Sequence, residues 1–291
     1  MQIESLLSQD IGVDNFDIII RDDGSSKQDA LSYIKDLPTI YPNIYVTLGK
    51  NVGVFNSFWA LINDAYRRGY EFVSLSDQDD IALRNKLSLA ISFLEKEENT
   101  RPLLFFSQMT FVNDKLEKQG EPFIKQSTIG LKNSLFESSV DGNLMVLNRK
   151  TCELVLFHKP KYFYMHDWWI YICVSAFGKV IYAPVSTLLY RQHTNNVIGG
   201  TQSLFAIMIR RLKRFCEYSE NTYPVYRQGK EFKEIFGSKL ETSVVTVLNN
   251  LLSSKESFFK RVFYALSSNN FSRMTLFDNA LLRLLILLNK Y

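Results

Sequence analysis

The chain has 291 residues, 46% of them hydrophobic and 22% charged, with 34 Lys and Arg residues against 30 Asp and Glu residues. This composition is typical of a folded protein and excludes a long disordered, collagen-like or coiled-coil chain. The three cysteines show no C-x-x-C spacing, and no apolar run approaches the roughly 18 residues of a transmembrane helix. The sequence therefore predicts no disulfide scaffold, no cysteine-bound zinc and no membrane span.

Up to residue 200, apolar runs typical of strands alternate with segments of helical periodicity. The predicted strands cover residues 16–21, 44–48, 71–76, 103–107, 142–147 and 180–189. The predicted helices cover residues 28–37, 56–68 and 84–98. This alternation predicts an α/β fold with a mainly parallel, doubly wound sheet, which binds ligands at the carboxyl ends of its strands.

Two polar turns follow the first two strands. Asp22 and Asp23 begin the turn D-D-G-S, where carboxylates could hold ribose or base groups of a nucleotide. Asn51 and Gly53 precede a predicted helix whose backbone N–H groups could face phosphates. Both turns also fit ordinary structure, because Asp, Gly and Ser are common turn residues and Asn51 or Asn56 could cap the helix.

The third strand ends in the acidic sequence S-D-Q-D-D, which contains Asp77, Asp79 and Asp80. Three carboxylates so close together repel one another unless a cation or hydrogen bonds compensate their charge. Carboxylate oxygens suit a hard divalent ion such as Mg²⁺ or Mn²⁺, whose other ligands are commonly water and phosphate oxygens. The alternative is an exposed acidic loop without a ligand.

A second group of polar residues lies between residues 166 and 193. Asp167 stands beside Trp168 and Trp169, and an apolar wall could raise its pKa and make it a general base. The tryptophans could instead be core residues, with Asp167 as a helix cap. Further on, Arg191 could face a diphosphate and neutral His193 could complete a metal site, although a lone His is more often structural.

The C-terminal third is basic. Residues 1–200 carry a net charge of −3 and residues 201–291 a net charge of +7, with Gly199-Gly200 as a plausible boundary. We therefore predict a first domain over residues 1–200 and a mostly helical extension over residues 201–291. In that extension, Leu204 to Tyr218 predicts a basic amphipathic helix, which lies either on an anionic membrane surface or against the rest of the chain.

The order of these motifs over residues 1–200 resembles a family-2 glycosyltransferase of the GT-A fold. The sequences S-D-Q-D-D, M-H-D-W-W and Y-R-Q-H-T-N-N-V-I-G are most similar to the bacterial rhamnosyltransferase branch. By this resemblance, Asp23 contacts the nucleobase and Asp77 the ribose of the donor. Asp79 and His193 bind the metal, and Asp167 deprotonates the acceptor hydroxyl.

The resemblance implies an inverting, metal-dependent transfer from a nucleoside-diphosphate sugar, with dTDP-L-rhamnose as the expected donor. The expected acceptor is a cell-surface polysaccharide or its lipid-linked precursor. A cytoplasmic location is expected, with peripheral contact at the inner face of the cell membrane as one option. A nucleic-acid partner is not expected, because the basic segment contains no recognised binding motif.

The chain departs from the family pattern at three places. Family members have an apolar strand and a T-Y-N-G turn before a helix similar to Gln2 to Gln9, so a first strand is missing and an opening in the sheet is expected. Ile81 stands where an aromatic residue is usual, and Asp141 adds a carboxylate near Trp168 and Trp169 in the expected acceptor region. The missing strand leaves a second hypothesis: a non-catalytic remnant that binds a sugar nucleotide weakly, or a protein partner.

Overall fold

The computed structural model describes residues 1–192, 217, 225–267 and 271–291. Its strands are β1 (Ile18–Asp22), β2 (Ile44–Leu48), β3 (Phe72–Ser74), β4 (Ile81–Ala82), β5 (Leu103–Val112), β6 (Lys118–Gly120), β7 (Val146–Asn148) and β8 (Lys179–Arg191). Its helices are α1 (Gln2–Leu7), α2 (Gln28–Ile40), α3 (Val54–Arg68), α4 (Lys86–Leu94), α5 (Leu131–Ser134), α6 (Arg149–Phe157), α7 (His166–Phe177), α8 (Val225–Phe236), α9 (Thr242–Ser253), α10 (Phe258–Leu266) and α11 (Leu276–Leu287).

These strands form two sheets. β1 and β2 pair in parallel as a two-stranded sheet, while the second sheet has the order β3-β7-β5-β8-β4, with β6 added to β5. The long pairing between β5 and β8 is parallel, whereas β3 with β7, β4 with β8, and β5 with β6 and β7 are antiparallel. The predicted α/β class is confirmed, and the larger sheet is mixed because short hairpin-like strands flank its long parallel pair.

The interruption falls between β1 and β3. Within the described residues, β1 pairs only with β2 and β3 pairs only with β7, so no ladder joins the two sheets. Side chains make the connection instead: the Tyr70 hydroxyl donates to the Asp17 carboxylate, and the Gln2 amide donates to the carbonyl of Asp77 at 2.9 Å. The sheet is therefore open at this place, as the sequence predicts.

Each sheet has its own apolar core. The two-stranded sheet is packed by a small core of Ile18, Leu37 and Ile44, which α1 and α2 cover. The six-stranded sheet lies in a much larger core that reaches from Trp59 to Tyr291 and contains most of α7. Burial of apolar surface is the main stabilising term in folding, so most of the stability belongs to the larger core.

The C-terminal helices belong to that larger core. The ring of Trp169 on α7 lies 5.8 Å from the ring of Phe232 on α8, and Arg273 forms an ion pair with Glu137 at 3.0 Å. The described part of the predicted extension is helical, but it shares its core with the α/β part. The predicted helix from Leu204 to Tyr218 lies outside the described residues except for residue 217.

Candidate active site

The first polar turn is held by the carboxylate of Asp22, at the end of β1. Asp22 is buried, and its Oδ2 accepts hydrogen bonds from the N–H groups of Gly24 and Ser25 at 3.0 and 3.1 Å. The Ser25 hydroxyl, followed by these backbone bonds, keeps the pKa of Asp22 below its usual value against the opposing effect of burial. Asp22 is therefore an ionised carboxylate that shapes the turn.

Asp23 joins this turn to the second one. Its Oδ2 accepts from the N–H of Gly53 at 2.9 Å, and its Oδ1 accepts from the N–H of Val52 at 3.0 Å and from the Arg21 guanidinium at 2.9 Å. Burial raises the pKa of Asp23. The hydrogen bonds from these donors and from the Ser57 hydroxyl together outweigh burial, so the pKa lies below its usual value. The residue predicted to contact a nucleobase thus also fixes the loop before α3.

The two turns touch closely at a glycine. Gly24 has φ of +87°, and a Cβ there would lie 2.8 Å from the backbone nitrogen of Asn51. Gly53, also with positive φ, is the N-cap of α3, and its N–H donates to the Asn51 side chain at 3.2 Å. No side chain caps α3, so the alternative of Asn51 or Asn56 as its cap is wrong. The structure brings Asp22, Asp23, Asn51 and Gly53 together beside the start of a helix.

The second group surrounds the acidic sequence after β3. Asp80 is 2% exposed and accepts a hydrogen bond of 2.5 Å from the Asn143 amide. Burial, followed by the charge of Asp79, raises the pKa of Asp77 to about 6, and burial also raises the pKa of Asp80 to about 6. The alternative of an exposed, solvated acidic loop is therefore wrong for Asp80, which is enclosed by the protein.

A buried lysine balances part of this negative charge. Lys86 is 1% exposed at the start of α4, and its Nζ donates to the carbonyls of Asn143 at 2.7 Å and Leu75 at 3.1 Å. Burial lowers the pKa of Lys86 to about 8, against the opposing attraction of Asp80 and Asp77. One ammonium group thus ties the end of β3 to the segment before β7 and faces two carboxylates.

Asp167 lies at the start of α7, beside Asp141. Its side chain is buried and accepts from the N–H of Trp168 at 2.6 Å. Burial first, and the charge of Asp141 second, raise the pKa of Asp167 to about 7, although hydrogen bonds from the N–H groups of Trp168 and Gly142 oppose the shift. Burial raises the pKa of Asp141 itself to about 6. A carboxyl that exchanges its proton near neutral pH is suited to general acid–base chemistry.

Gly142 packs tightly against this carboxyl. A Cβ on Gly142 would lie 2.9 Å from Nε2 of His166 and 3.5 Å from Cβ of Asp167. The His166 ring has little freedom to move away, because it stacks on Phe58 with ring centroids 4.2 Å apart. The position therefore has room for glycine alone.

We expect Gly142→Ala to lower the free energy of unfolding by about 1–3 kcal/mol, the usual cost of overpacking. The measurement is the urea midpoint compared with Gly237→Ala, where the new Cβ would meet only Lys233 at an ordinary 3.7 Å. Equal midpoints for the two variants would contradict the tight packing of Gly142 on His166.

Trp168 and Trp169 belong to the core, as one of the two interpretations of the sequence holds, and their place in an acceptor region stays a prediction. Trp169 has no exposed surface and packs on Phe232 and Phe236. Trp168 is 4% exposed, and its indole N–H donates to the carbonyl of Ser134 at 2.5 Å. Both rings are turned into the protein because α7 is buried along most of its length. The rings therefore contribute to the packing of α7 against its neighbours.

The structure describes one of the two predicted metal ligands. The guanidinium of Arg191 donates to the backbone carbonyl of Asp79, which anchors the acidic sequence to the end of β8. His193 lies outside the described residues. Within the part of the chain that the structure describes, no three His, Cys, Asp or Glu side chains are grouped as a metal centre. Asp79 is thus the one predicted metal ligand that the structure describes, and its carboxylate suits a hard cation.

Sequence reasoning missed Lys86 and its partner Asn143. A signal for Lys86 was present, since Lys86, Ala90 and Leu94 form the buried stripe of α4 and the lysine interrupts it. Asn143 gave no such signal, because its contacts with Asp80 and Lys86 join residues far apart in the chain.

Comparison with known proteins gives a consistent result. The model of the glycosyl transferase family 2 matches residues 2–149. The dTDP-rhamnosyl transferase RfbG of Shigella flexneri is 26% identical over 223 residues, which cover 70% of this chain and 72% of that protein.

Solved structures of TarS from S. aureus are similar in fold. TarS 1–349 in complex with UDP-GlcNAc has a TM-score of 0.57 at 15% identity, covering 91% of this chain and 76% of that one. TarS 1–349 in complex with UDP has a TM-score of 0.54, covering 92% of this chain and 68% of that one. The GT-A fold that the motifs predicted is confirmed. A family match over half of the chain and the shared fold identify the protein as a glycosyltransferase that belongs to glycosyl transferase family 2.

Proposed function

We propose that the enzyme transfers L-rhamnose from dTDP-L-rhamnose, with inversion, to a hydroxyl of a cell-surface polysaccharide or its lipid-linked precursor. The similarity to RfbG, a dTDP-rhamnosyl transferase by name, supports this donor. The observation that carries the chemistry is the buried carboxyl of Asp167, whose pKa is raised to about 7. Such a group takes up a proton more readily than an ordinary carboxylate while remaining largely ionised just above neutral pH.

The chain's own residues account for the transfer as follows. The acceptor oxygen attacks the anomeric carbon and forms the new glycosidic bond, while Asp167 takes the proton of that hydroxyl. The bond from the anomeric carbon to the diphosphate breaks, and the diphosphate leaves with the electron pair. Asp22, Asp23, Asn51 and Gly53 form the donor side of this arrangement, beside the N-terminus of α3, a part of a helix that generally favours phosphate oxygens.

The proposed cofactor is Mg²⁺ or Mn²⁺. Its ligands from this chain would be Asp79 and His193, and when bound it supplies positive charge to the departing diphosphate. Arg191 supports the same end of the site, since its guanidinium holds the backbone of Asp79. The charges of Asp77 and Asp79 repel that of Asp80, and a bound cation would offset this repulsion.

The decisive experiment measures nucleotide release and sugar transfer with dTDP-L-rhamnose and with UDP-GlcNAc, in the presence of Mn²⁺ and after chelation. We expect turnover with dTDP-L-rhamnose to exceed that with UDP-GlcNAc by at least about tenfold. We also expect Asp79→Ala to reduce it by about 100-fold or more, because the charge on the leaving group is then uncompensated. Asp36→Ala, at an exposed position of α2, is the matched control.

The possible outcomes separate the parts of the proposal. Equal use of both donors would refute the rhamnosyl assignment and leave glycosyl transfer standing. Full activity after chelation and in Asp79→Ala would refute the metal dependence. The interrupted sheet favours one alternative, a protein that binds a sugar nucleotide without transferring the sugar. Calorimetric donor binding with no product from any acceptor would support that alternative.

A further inference from the structure

Helix α10 turns its most apolar face away from the protein. Phe259, Phe263 and Leu266 are 83%, 79% and 71% exposed, and their spacing places them on one side of the helix. Tyr264 and Ala265, which are buried, form the opposite side. An amphipathic helix normally turns its apolar face inward, so this orientation calls for a partner outside the chain.

The neighbouring helix repeats the pattern. α11 packs against α10, and the side chain of Arg283 donates to the carbonyl of Ala265. On α11 and the residue after it, Leu276, Leu284 and Leu288 are 87%, 43% and 52% exposed. Their spacing in multiples of four residues puts them on one side of the helix. Two adjacent helices therefore each present an apolar stripe to solvent.

The charge around these stripes is mainly positive. From residue 255 to residue 291 the sequence contains six Lys or Arg residues against one Asp and one Glu. Lys260 is exposed beside the α10 stripe, and the guanidinium of Arg261 lies 5.7 Å from the ring of Phe258. Aromatic side chains with a cationic rim are the usual composition of a helix that lies in a membrane interface. The opposite charge of anionic headgroups complements such a rim.

We propose that α10 and α11 form a docking surface for an anionic phospholipid bilayer. Phe259, Phe263 and Leu266 enter the boundary between headgroups and acyl chains, and Lys260 faces the phosphates. No helix in the described ranges has the length and apolarity to span a bilayer, so the contact is with the surface. The docking surface is a different segment from Leu204 to Tyr218, and its test does not depend on the identity of the sugar donor.

The test is flotation of the full chain with vesicles of phosphatidylcholine, alone or mixed with phosphatidylglycerol. We expect binding to the mixed vesicles only. We expect the double variant Phe259→Ser/Phe263→Ser to bind about tenfold more weakly or worse, because two anchors are lost. Lys260→Glu should weaken binding about fivefold or more through charge reversal.

Two matched controls accompany these variants. Phe123→Ser removes a 69% exposed aromatic residue elsewhere, and Lys150→Glu reverses a lysine that, like Lys260, pairs with a glutamate close to it in the sequence. Both should bind vesicles as the wild type does. Circular dichroism and donor binding should be unchanged in every variant.

Three results would overturn the proposal. One is wild-type flotation of the double variant, and another is equal binding to neutral and anionic vesicles. The third is a double variant that elutes as a monomer in lipid-free gel filtration, where the wild type elutes as an oligomer, while its binding to vesicles is unaltered. That last result would show that the apolar stripes serve contact between copies of the chain.

Discussion

Asp167→Asn is expected to lower kcat by about 100-fold to 10,000-fold, which is the usual contribution of a general base. Asparagine keeps the size of the side chain and can still accept the hydrogen bond from the N–H of Trp168, but it cannot take the acceptor proton. Donor binding should be preserved, because the donor-side turns lie elsewhere in the chain. Initial rates at saturating donor, together with calorimetric donor affinity, measure the two effects separately.

The pH profile provides the control for this prediction. With a pKa of about 7, Asp167 is protonated and inactive as a base at lower pH, so the rate should fall as the pH drops through neutrality. Asp141→Asn removes a neighbouring negative charge that raises this pKa. It should therefore move the acid limb to lower pH while keeping turnover at pH 8. Two results would contradict the assignment of Asp167 as the base. One is a wild-type kcat in Asp167→Asn, and the other is an acid limb of the pH–rate profile that stays in place in Asp141→Asn.

Lys86→Met is expected to lower the free energy of unfolding by about 3–5 kcal/mol, the typical cost of removing one partner from a buried charged group. Methionine fills a similar volume but leaves the carbonyls of Leu75 and Asn143 without their donor. It also leaves Asp77 and Asp80 without the ammonium that faces them. Urea unfolding measures the change.

Lys35→Met on α2 is the matched control, because Lys35 is exposed. Its free energy of unfolding should stay within about 0.5 kcal/mol of the wild type, as is usual for surface positions. If the two variants unfolded at the same urea concentration, Lys86 would have no part in balancing the acidic sequence.

Elements with a local signal were predictable from the sequence. The predicted helix from residue 56 to 68 corresponds to α3, which ends before Gly69 in the left-handed conformation that stops a helix. The predicted strand at residues 142–147 begins only at Val146, because a helical turn covers Gly142–Leu144. In the extension, which the sequence predicts to be mostly helical, a short 3₁₀ turn at Gly237–Lys239 separates α8 from α9.

The candidate site was predictable where its residues are adjacent in sequence. Two acidic clusters at the ends of predicted strands can be recognised in the sequence: Asp22 with Asp23, and Asp77 with Asp79. The sequence leaves the burial of Trp169 as one of two alternatives, because that burial depends on α8, a helix some 60 residues further along the chain. The neighbourhood of Asp141 and Asp167 also depends on long-range packing, which a local pattern does not encode.

The interrupted sheet has a consequence for the local stability of β1 and β2. β1 and β2 carry the turns that we propose bind the donor, but they rest on the small core of Ile18, Leu37 and Ile44. An isolated pair of strands is only marginally stable, so we expect its amide hydrogens to exchange with solvent sooner than those of β5 and β8. A donor that binds only the folded form of this pair of strands would then slow that exchange and add its binding free energy to the stability of this half. Nucleotide capture and local folding would become one coupled event.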